Sequence, residues 1–237
     1  MTMWPFTSKS TLRKSGVFIE ATDWHSHILP GVDDGVKSMR ESLKILADYE
    51  QLGFRRVWLT PHIMEDIPNT LEQLRERYAE LRDAYKGPLE LNLAAENMMD
   101  SLFDERLSAG EVLPIGRDGN HLLVETSYYT APMDLDDILR RVMSAGYHPL
   151  LAHPERYQYM NEKDYDRIHE MGVLMQMNFT SLAGLYGPVA RKKAQHLLKK
   201  GFYSACGSDL HRHRTLQHFA DAPVATSALR RIPAFDQ

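Results

Sequence analysis

Seven short apolar runs in this chain, at residues 17–21, 56–60, 89–95, 121–124, 148–152, 173–177 and 203–206, are each followed by a short connection or a helical pattern. A strand that reaches a parallel neighbour through a helix crosses over right-handed, so the repeat predicts an α/β fold built on a parallel sheet. The helix signals are local. Ser38-Met39-Arg40-Glu41 is a capping-box pattern ahead of Leu43, Leu46 and Ala47, with Gly53 as the stop. Thr70 and Gln73 repeat the box, and Gly87-Pro88 closes that helix. Shorter helices are expected over 101–108, from Asp134 to Gly146, and over 163–171, and a longer one from Pro188 to Lys200. Residues 213–237 are weakly patterned and predict only a fragmentary helix.

No linker or low-complexity break interrupts the pattern, so residues 17–237 are expected to form one domain after a flexible lead-in, residues 1–16. The lead-in lacks the apolar length of a signal peptide or a membrane span, although Trp4 and Phe6 are suited to touching a membrane surface. A net charge of −4 does not favour nucleic acid. Cys206 is the single cysteine, which rules out an intrachain disulfide and suits a cytoplasmic location.

The chemistry sits where the apolar runs end. His25 and His27 lie two apart in Asp23-Trp24-His25-Ser26-His27, so both imidazoles face one side of an extended chain. Asp33 and Asp34 add hard oxygen ligands beside Gly35. His62 follows the second run, Glu96 and Glu125 end the third and fourth, His153 follows the fifth, and Asp209 and His211 follow the seventh. An open sheet cannot gather so many strand ends, whereas a βα-barrel builds its active site from them. Nine donors (His25, His27, Asp34, His62, Glu96, Glu125, His153, Asp209 and His211) exceed what one ion uses, so two or three divalent metals are expected. Imidazole mixed with carboxylate, and no thiolate, favours manganese, iron or zinc in a reactive site.

Cys206 and Arg212 share the spacing of a thiol-based phosphatase loop. Asp209 inside that loop would repel phosphate, and Cys206 ends an apolar strand, so a small buried hydrophobe is the expected role.

The segments Asp23 to Gly35, Thr60-Pro61-His62-Ile63-Met64, Ala95-Glu96, Val124-Glu125, Ala152-His153-Pro154-Glu155-Arg156-Tyr157 and Gly207-Ser208-Asp209-Leu210-His211 resemble the PHP (polymerase and histidinol phosphatase) superfamily. More narrowly, they resemble its bacterial metal-dependent protein-tyrosine phosphatases of capsule and exopolysaccharide production. The resemblance implies a distorted seven-stranded, TIM-like βα-barrel with a trinuclear centre. One metal would take His25, His27, Glu96 and Asp209. A second would share Glu96 with Glu125 and His153, and a third would take Asp34, His62 and His211. Arg156 would bind the phosphate, joined by Arg212 or Arg214, of which Arg214 is preferred.

The expected reaction is attack of a metal-activated hydroxide on phosphotyrosine. A phenolate, with a parent pKa of about 10, leaves readily, and His62 or His211 can assist. Tyr128 and Tyr129 are candidates to pack an aromatic substrate, and the basic run Arg191-Lys192-Lys193 with Lys199-Lys200 is a candidate dock for an acidic tail. By resemblance, the substrate is the tail of a bacterial tyrosine kinase that controls polysaccharide export, and manganese is the preferred ion. The alternative is a phosphoesterase for a small monoester such as histidinol phosphate.

Overall fold

The computed structural model describes residues 8–233. Its strands are β1 (Lys9–Thr11), β2 (Thr22–Ser26), β3 (Arg56–Leu59), β4 (His62–Ile63), β5 (Glu90–Leu93), β6 (Glu96–Met98), β7 (His121–Glu125), β8 (His148–Ala152), β9 (Leu174–Asn178), β10 (Tyr203–Gly207) and β11 (Pro223–Ala225). Its helices are α1 (Leu12–Ser15), α2 (Met39–Leu52), α3 (Leu71–Ala84), α4 (Phe103–Ala109), α5 (Leu135–Ser144), α6 (Glu162–Glu170), α7 (Phe179–Ala183), α8 (Gly187–Lys200), α9 (His213–Asp221) and α10 (Thr226–Leu229). A 3₁₀ turn, Pro154–Arg156, follows β8.

The parallel α/β architecture is present as two sheets. Six strands run in the order β10-β9-β8-β7-β6-β4, and three in the order β2-β3-β5. The sheets meet at both margins. At one, Asp209 N donates to His25 O at 2.8 Å and His27 N to Leu210 O at 3.1 Å. At the other, the chain runs from β3 straight into β4 and from β5 into β6, with Ala94 N donating to Leu59 O at 2.9 Å at the end of one ladder and Glu96 N to Pro61 O at 3.1 Å at the start of the next.

Alternation along the strands divides the apolar side chains. Val57 and Leu59 belong to the large core under the helices, while Trp58 joins a small separate cluster with Trp24, Ala94, Ile115, Leu123, Leu150, Ala152 and Ala205. Within it the Trp24 and Trp58 rings stack at 5.8 Å.

The capping box at Thr70 and Gln73 forms in full, whereas at Ser38 only the serine half forms, the Glu41 carboxylate accepting instead from His213 N at 3.4 Å. Gly53 takes the left-handed conformation that ends α2. Asp134 precedes α5 without capping it, because its carboxylate accepts from Arg141 Nη2 at 3.1 Å.

Three elements differ from expectation. The apolar run at 17–21 is a turn, and the strand begins at Thr22. The reason is Phe18, which is buried against Phe54, Phe179 and Phe219 at ring distances of 4.9, 5.4 and 6.1 Å. The run at 89–95 breaks after Leu93, so Glu96 opens β6 in the other sheet rather than ending a strand.

The third difference joins distant segments. From Lys9 the expected lead-in forms β1 and α1, and β1 pairs antiparallel with β11 in the tail. Leu12 is fully buried, and Arg13 Nε donates to Asp221 at 2.7 Å. Trp4 and Phe6 lie outside the described residues.

Phe18→Ala removes an aromatic ring shared by three others. It is expected to lower unfolding stability by about 3–5 kcal/mol, read as a lower urea midpoint with an unchanged slope.

Candidate metal centre

A register irregularity in β2 sets the first ligands. The pairing with β3 shifts between Asp23 and Ser26, so His25 turns toward the same interior that receives Trp24. His25 Nδ1 meets Gln176 Oε1 at 2.7 Å, and Gln176 Nε2 donates to the Trp24 carbonyl. His25 Nε2 therefore faces the pocket, 3.0 Å from His27 Nε2. His27 is oriented the same way: its Nδ1 lies 2.8 Å from Asp33 Oδ2. Asp33 also accepts from the His62 and Gly35 backbone N–H groups. Asp33 thus orients His27 and is not part of the ligand clusters, unlike the hard-oxygen role expected of it. Gly35 has a steric reason, since a Cβ there would fall 2.3 Å from the His27 carbonyl oxygen.

The nine expected donors converge in three overlapping clusters: His25, Glu96, His153 and Asp209; His27, Asp34, His62 and His211; and His62, Glu96 and Glu125. Donor atoms within each cluster lie within 4.8 Å of one another. The grouping differs from the expected one: His153 stands in place of His27 beside His25, His27 joins Asp34, His62 and His211, and His62 rather than His153 accompanies Glu96 and Glu125. The distances explain the overlap. His27 Nε2 is 3.2 Å from Glu96 and 3.4 Å from Asp209, while His153 Nε2 is 3.0 Å from Glu96 and 3.8 Å from Glu125.

Glu96 is the hub. Its Oε2 lies 3.1 Å from His25 Nε2, 3.2 Å from His27 Nε2 and 3.2 Å from His62 Nδ1. Nevertheless Glu96 Oε2 and His62 Nδ1 are buried without a hydrogen bond. Buried polar atoms facing one another unpaired are costly. They suit a hard divalent cation placed between them.

The electrostatics are mutual. Burial and His27 push His62 down, but Glu96 and Glu125 outweigh them and raise its pKa to about 9. Burial also opposes charge on His25 and His27, and the carboxylates around each more than offset it. Burial works against ionised Glu96 and Asp209 as well, yet the facing imidazoles hold both well below the usual carboxylate range, with Arg156 adding to the effect on Asp209. The hydrogen bond from His211 is the main cause of the lowered Asp34 pKa.

Two ligand positions are strained. His153 has φ 33° and Asp209 φ 51°, left-handed values that side chains with a Cβ avoid. Asp209 is held from several sides. Its Oδ2 accepts from Arg156 Nη1 at 2.5 Å and Asn178 Nδ2 at 2.9 Å. Further back, buried Asp23 accepts at Oδ1 from Ser208 N at 2.7 Å and His25 N at 3.2 Å, and at Oδ2 from Tyr49 at 2.7 Å.

Arg156 therefore lies inside the site, while Arg212 and Arg214 are exposed. Both line a cavity of about 570 Å³ beside Asp34 and His211, with Lys37 and His213. The basic run on α8 is largely engaged internally. Arg191 donates to the Pro223 carbonyl, Lys193 to the Tyr157 and Met160 carbonyls, and Lys200 to Asp166. Tyr129 is exposed, and Tyr128 packs on Arg156. Cys206 is buried, and burial pushes its thiol well above the usual range.

Gln176, Asn178 and Tyr186 carry no motif. Gln176 alone leaves a trace in the sequence, as a polar residue inside the apolar run at 173–177.

Residues 21–221 match the family model described as capsular polysaccharide synthesis, CpsB/CapC. The chain belongs to the CpsB/CapC family. The tyrosine-protein phosphatase CpsB of Streptococcus pneumoniae is 30% identical over 202 residues, covering 80% of this chain and 82% of that protein. The tyrosine-protein phosphatase YwqE of Bacillus subtilis is 24% identical over 199 residues, covering 81% and 78%. A solved structure from work on YwqE and CpsB, described as unique metal-dependent tyrosine phosphatases, matches with a TM-score of 0.74 at 22% identity, covering 88% and 84%. The lactonase Lmo2620 of Listeria monocytogenes matches with a TM-score of 0.53 at 12% identity, covering 92% and 93%, and shares the fold. Among the described residues of this CpsB/CapC chain, no helix is long and apolar enough to cross a membrane.

Because His62 titrates near pH 9 before a cation binds, a divalent ion must displace its proton at neutral pH. Apparent metal affinity is expected to rise with pH up to about 9, by about tenfold per pH unit for each imidazole displaced. Calorimetry in buffers of different ionisation enthalpy should register net proton release at pH 7 and less at pH 9.

Proposed function

We propose that this chain hydrolyses phosphotyrosine in proteins, using two or three divalent ions held by the nine clustered donors. The observation that carries the reading is Glu96 Oε2, buried without a hydrogen bond among three imidazole nitrogens. The names of the CpsB and YwqE relatives supply the substrate class. The two parallel sheets would work as one distorted seven-staved barrel. The hydrogen bonds between β2 and the segment after β10 support this, as do the runs of β3 into β4 and β5 into β6 and the interior cluster drawn from strands all around it. The domain is best begun at Lys9 rather than Val17, because β1 and α1 pack on the tail.

Bound divalent ions supply a nucleophilic hydroxide at neutral pH and offset charge on the phosphoryl oxygens. His25, Glu96, His153 and Asp209 would hold one ion, and His27, Asp34, His62 and His211 another, while Glu125 with His62 and Glu96 completes a third position. Arg156 presents planar donors to phosphoryl oxygens. Arg214, or its neighbour Arg212, would reach the phosphate from the cavity beside Asp34. His62 and His211 lie 3.6 and 3.3 Å from Asp34 Oδ1, and whichever of them is free of an ion would hold a proton for the departing phenolate. Manganese suits the mixed imidazole and carboxylate set, with iron and zinc next. The physiological substrate would be the tyrosine-rich tail of a bacterial tyrosine kinase that controls capsule or exopolysaccharide production, met in the cytoplasm.

Purified protein should hydrolyse a phosphotyrosine peptide, lose activity by more than about a hundredfold with a chelator, and regain it with Mn²⁺. Cys206→Ser should keep its activity. Faster turnover of histidinol phosphate than of the peptide would overturn the substrate assignment, and chelator-insensitive activity would overturn the metal assignment.

A further inference from the structure

Arg156 is held unlike any other cation of the site. Its Cζ lies 4.2 Å from the Tyr128 ring centroid and 4.0 Å from that of Tyr186. The two rings come from distant loops, one after β7 and one between α7 and α8. Each is anchored elsewhere. Tyr128 packs 5.7 Å from the His153 ring and 6.1 Å from the Tyr157 ring, and its carbonyl accepts from Gln158 N at 2.8 Å. The Tyr186 hydroxyl donates to Asp209 Oδ2 at 3.4 Å, the oxygen that also takes Arg156 and Asn178. Burial raises the pKa of both phenols, so the rings remain neutral.

A guanidinium carries all its donors in its plane and none on its faces. Rings against it consume no hydrogen bond. They restrict rotation of the group and leave its edge to engage an anion. We propose that Tyr128 and Tyr186 are positioning residues that clamp Arg156, so that phosphoryl oxygens meet an edge already oriented. The proposal rests on the reading of Arg156 as the phosphate-binding residue. Its effect falls on phosphate affinity rather than on metal loading, because an ordering cost met before binding is not met again during it. Tyr186 is the sharper probe, being 39% exposed and so replaceable without opening the core.

The test uses the metal-loaded full chain and inorganic phosphate as the probe. Phosphate affinity is measured by calorimetry, KM and kcat on a phosphotyrosine peptide, and metal content by elemental analysis. Tyr186→Leu and Tyr128→Leu are each expected to weaken phosphate by about five- to tenfold, to raise KM more than they lower kcat, and to leave metal content unchanged. Tyr186→Phe and Tyr128→Phe, which keep the rings, should restore phosphate affinity to within about twofold of the parent. Arg156→Lys should weaken phosphate by about tenfold or more, and adding Tyr186→Leu to it should cost less than about twofold further.

Phosphate affinity unchanged in the leucine variants, a phenylalanine variant as weak as leucine, loss of metal with the ring, or a full Tyr186→Leu effect persisting beside Arg156→Lys would each overturn the clamp. Unchanged phosphate affinity in Arg156→Lys would instead overturn the role of Arg156 itself.

Discussion

A buried carboxylate surrounded by imidazoles is the constraint on which the rest of this structure depends. Glu96 meets His25, His27 and His62 through one oxygen and His153 through the other, all within 3.2 Å. No apolar core tolerates that collection unless charge is balanced inside it. The fold supplies part of the balance through mutual titration, and the donor set is suited to cations for the remainder. The elements that bring Glu96 there follow from this requirement. The break at Ala94-Ala95 lifts Glu96 out of one sheet and into the other, where it opens a strand beside β4 and its His62.

Around the hub, fixed partners replace flexibility. Asp33 and Gln176 each take the outer nitrogen of one histidine, which selects the tautomer that aims the other nitrogen inward. Asp23 fastens the backbone of β2 to the segment carrying Asp209. Such attachments explain how His153 and Asp209 persist with left-handed backbones, a local strain of about 1–3 kcal/mol each. The clamp on Arg156 continues the same pattern toward the solvent side.

The donors were legible because their motifs end apolar runs, and the convergence follows from any arrangement that gathers strand ends. The grouping of the donors was less legible, because His27 and His153 each sit within reach of two clusters. Helix caps such as Ser38 and Thr70 act over three residues, so the chain states them directly. The run at 17–21 misled because apolar character alone does not separate a strand from a turn that buries one ring. The β1–β11 pair was hidden for another reason. Each strand has three residues, too few for periodicity, and its partner is about two hundred positions away.

That separation has a consequence for synthesis. Phe18 is covered in part by Phe219, Asp23 is bonded to Ser208, and β1 waits for β11. A chain emerging from the ribosome in order cannot complete these contacts until residues 208–225 are available, so strand β2 with His25, and His27 just past its end, must wait for their final partners. Contacts of such long sequence separation slow folding. Commitment to the native topology, and with it the capacity to hold ions tightly, therefore falls late.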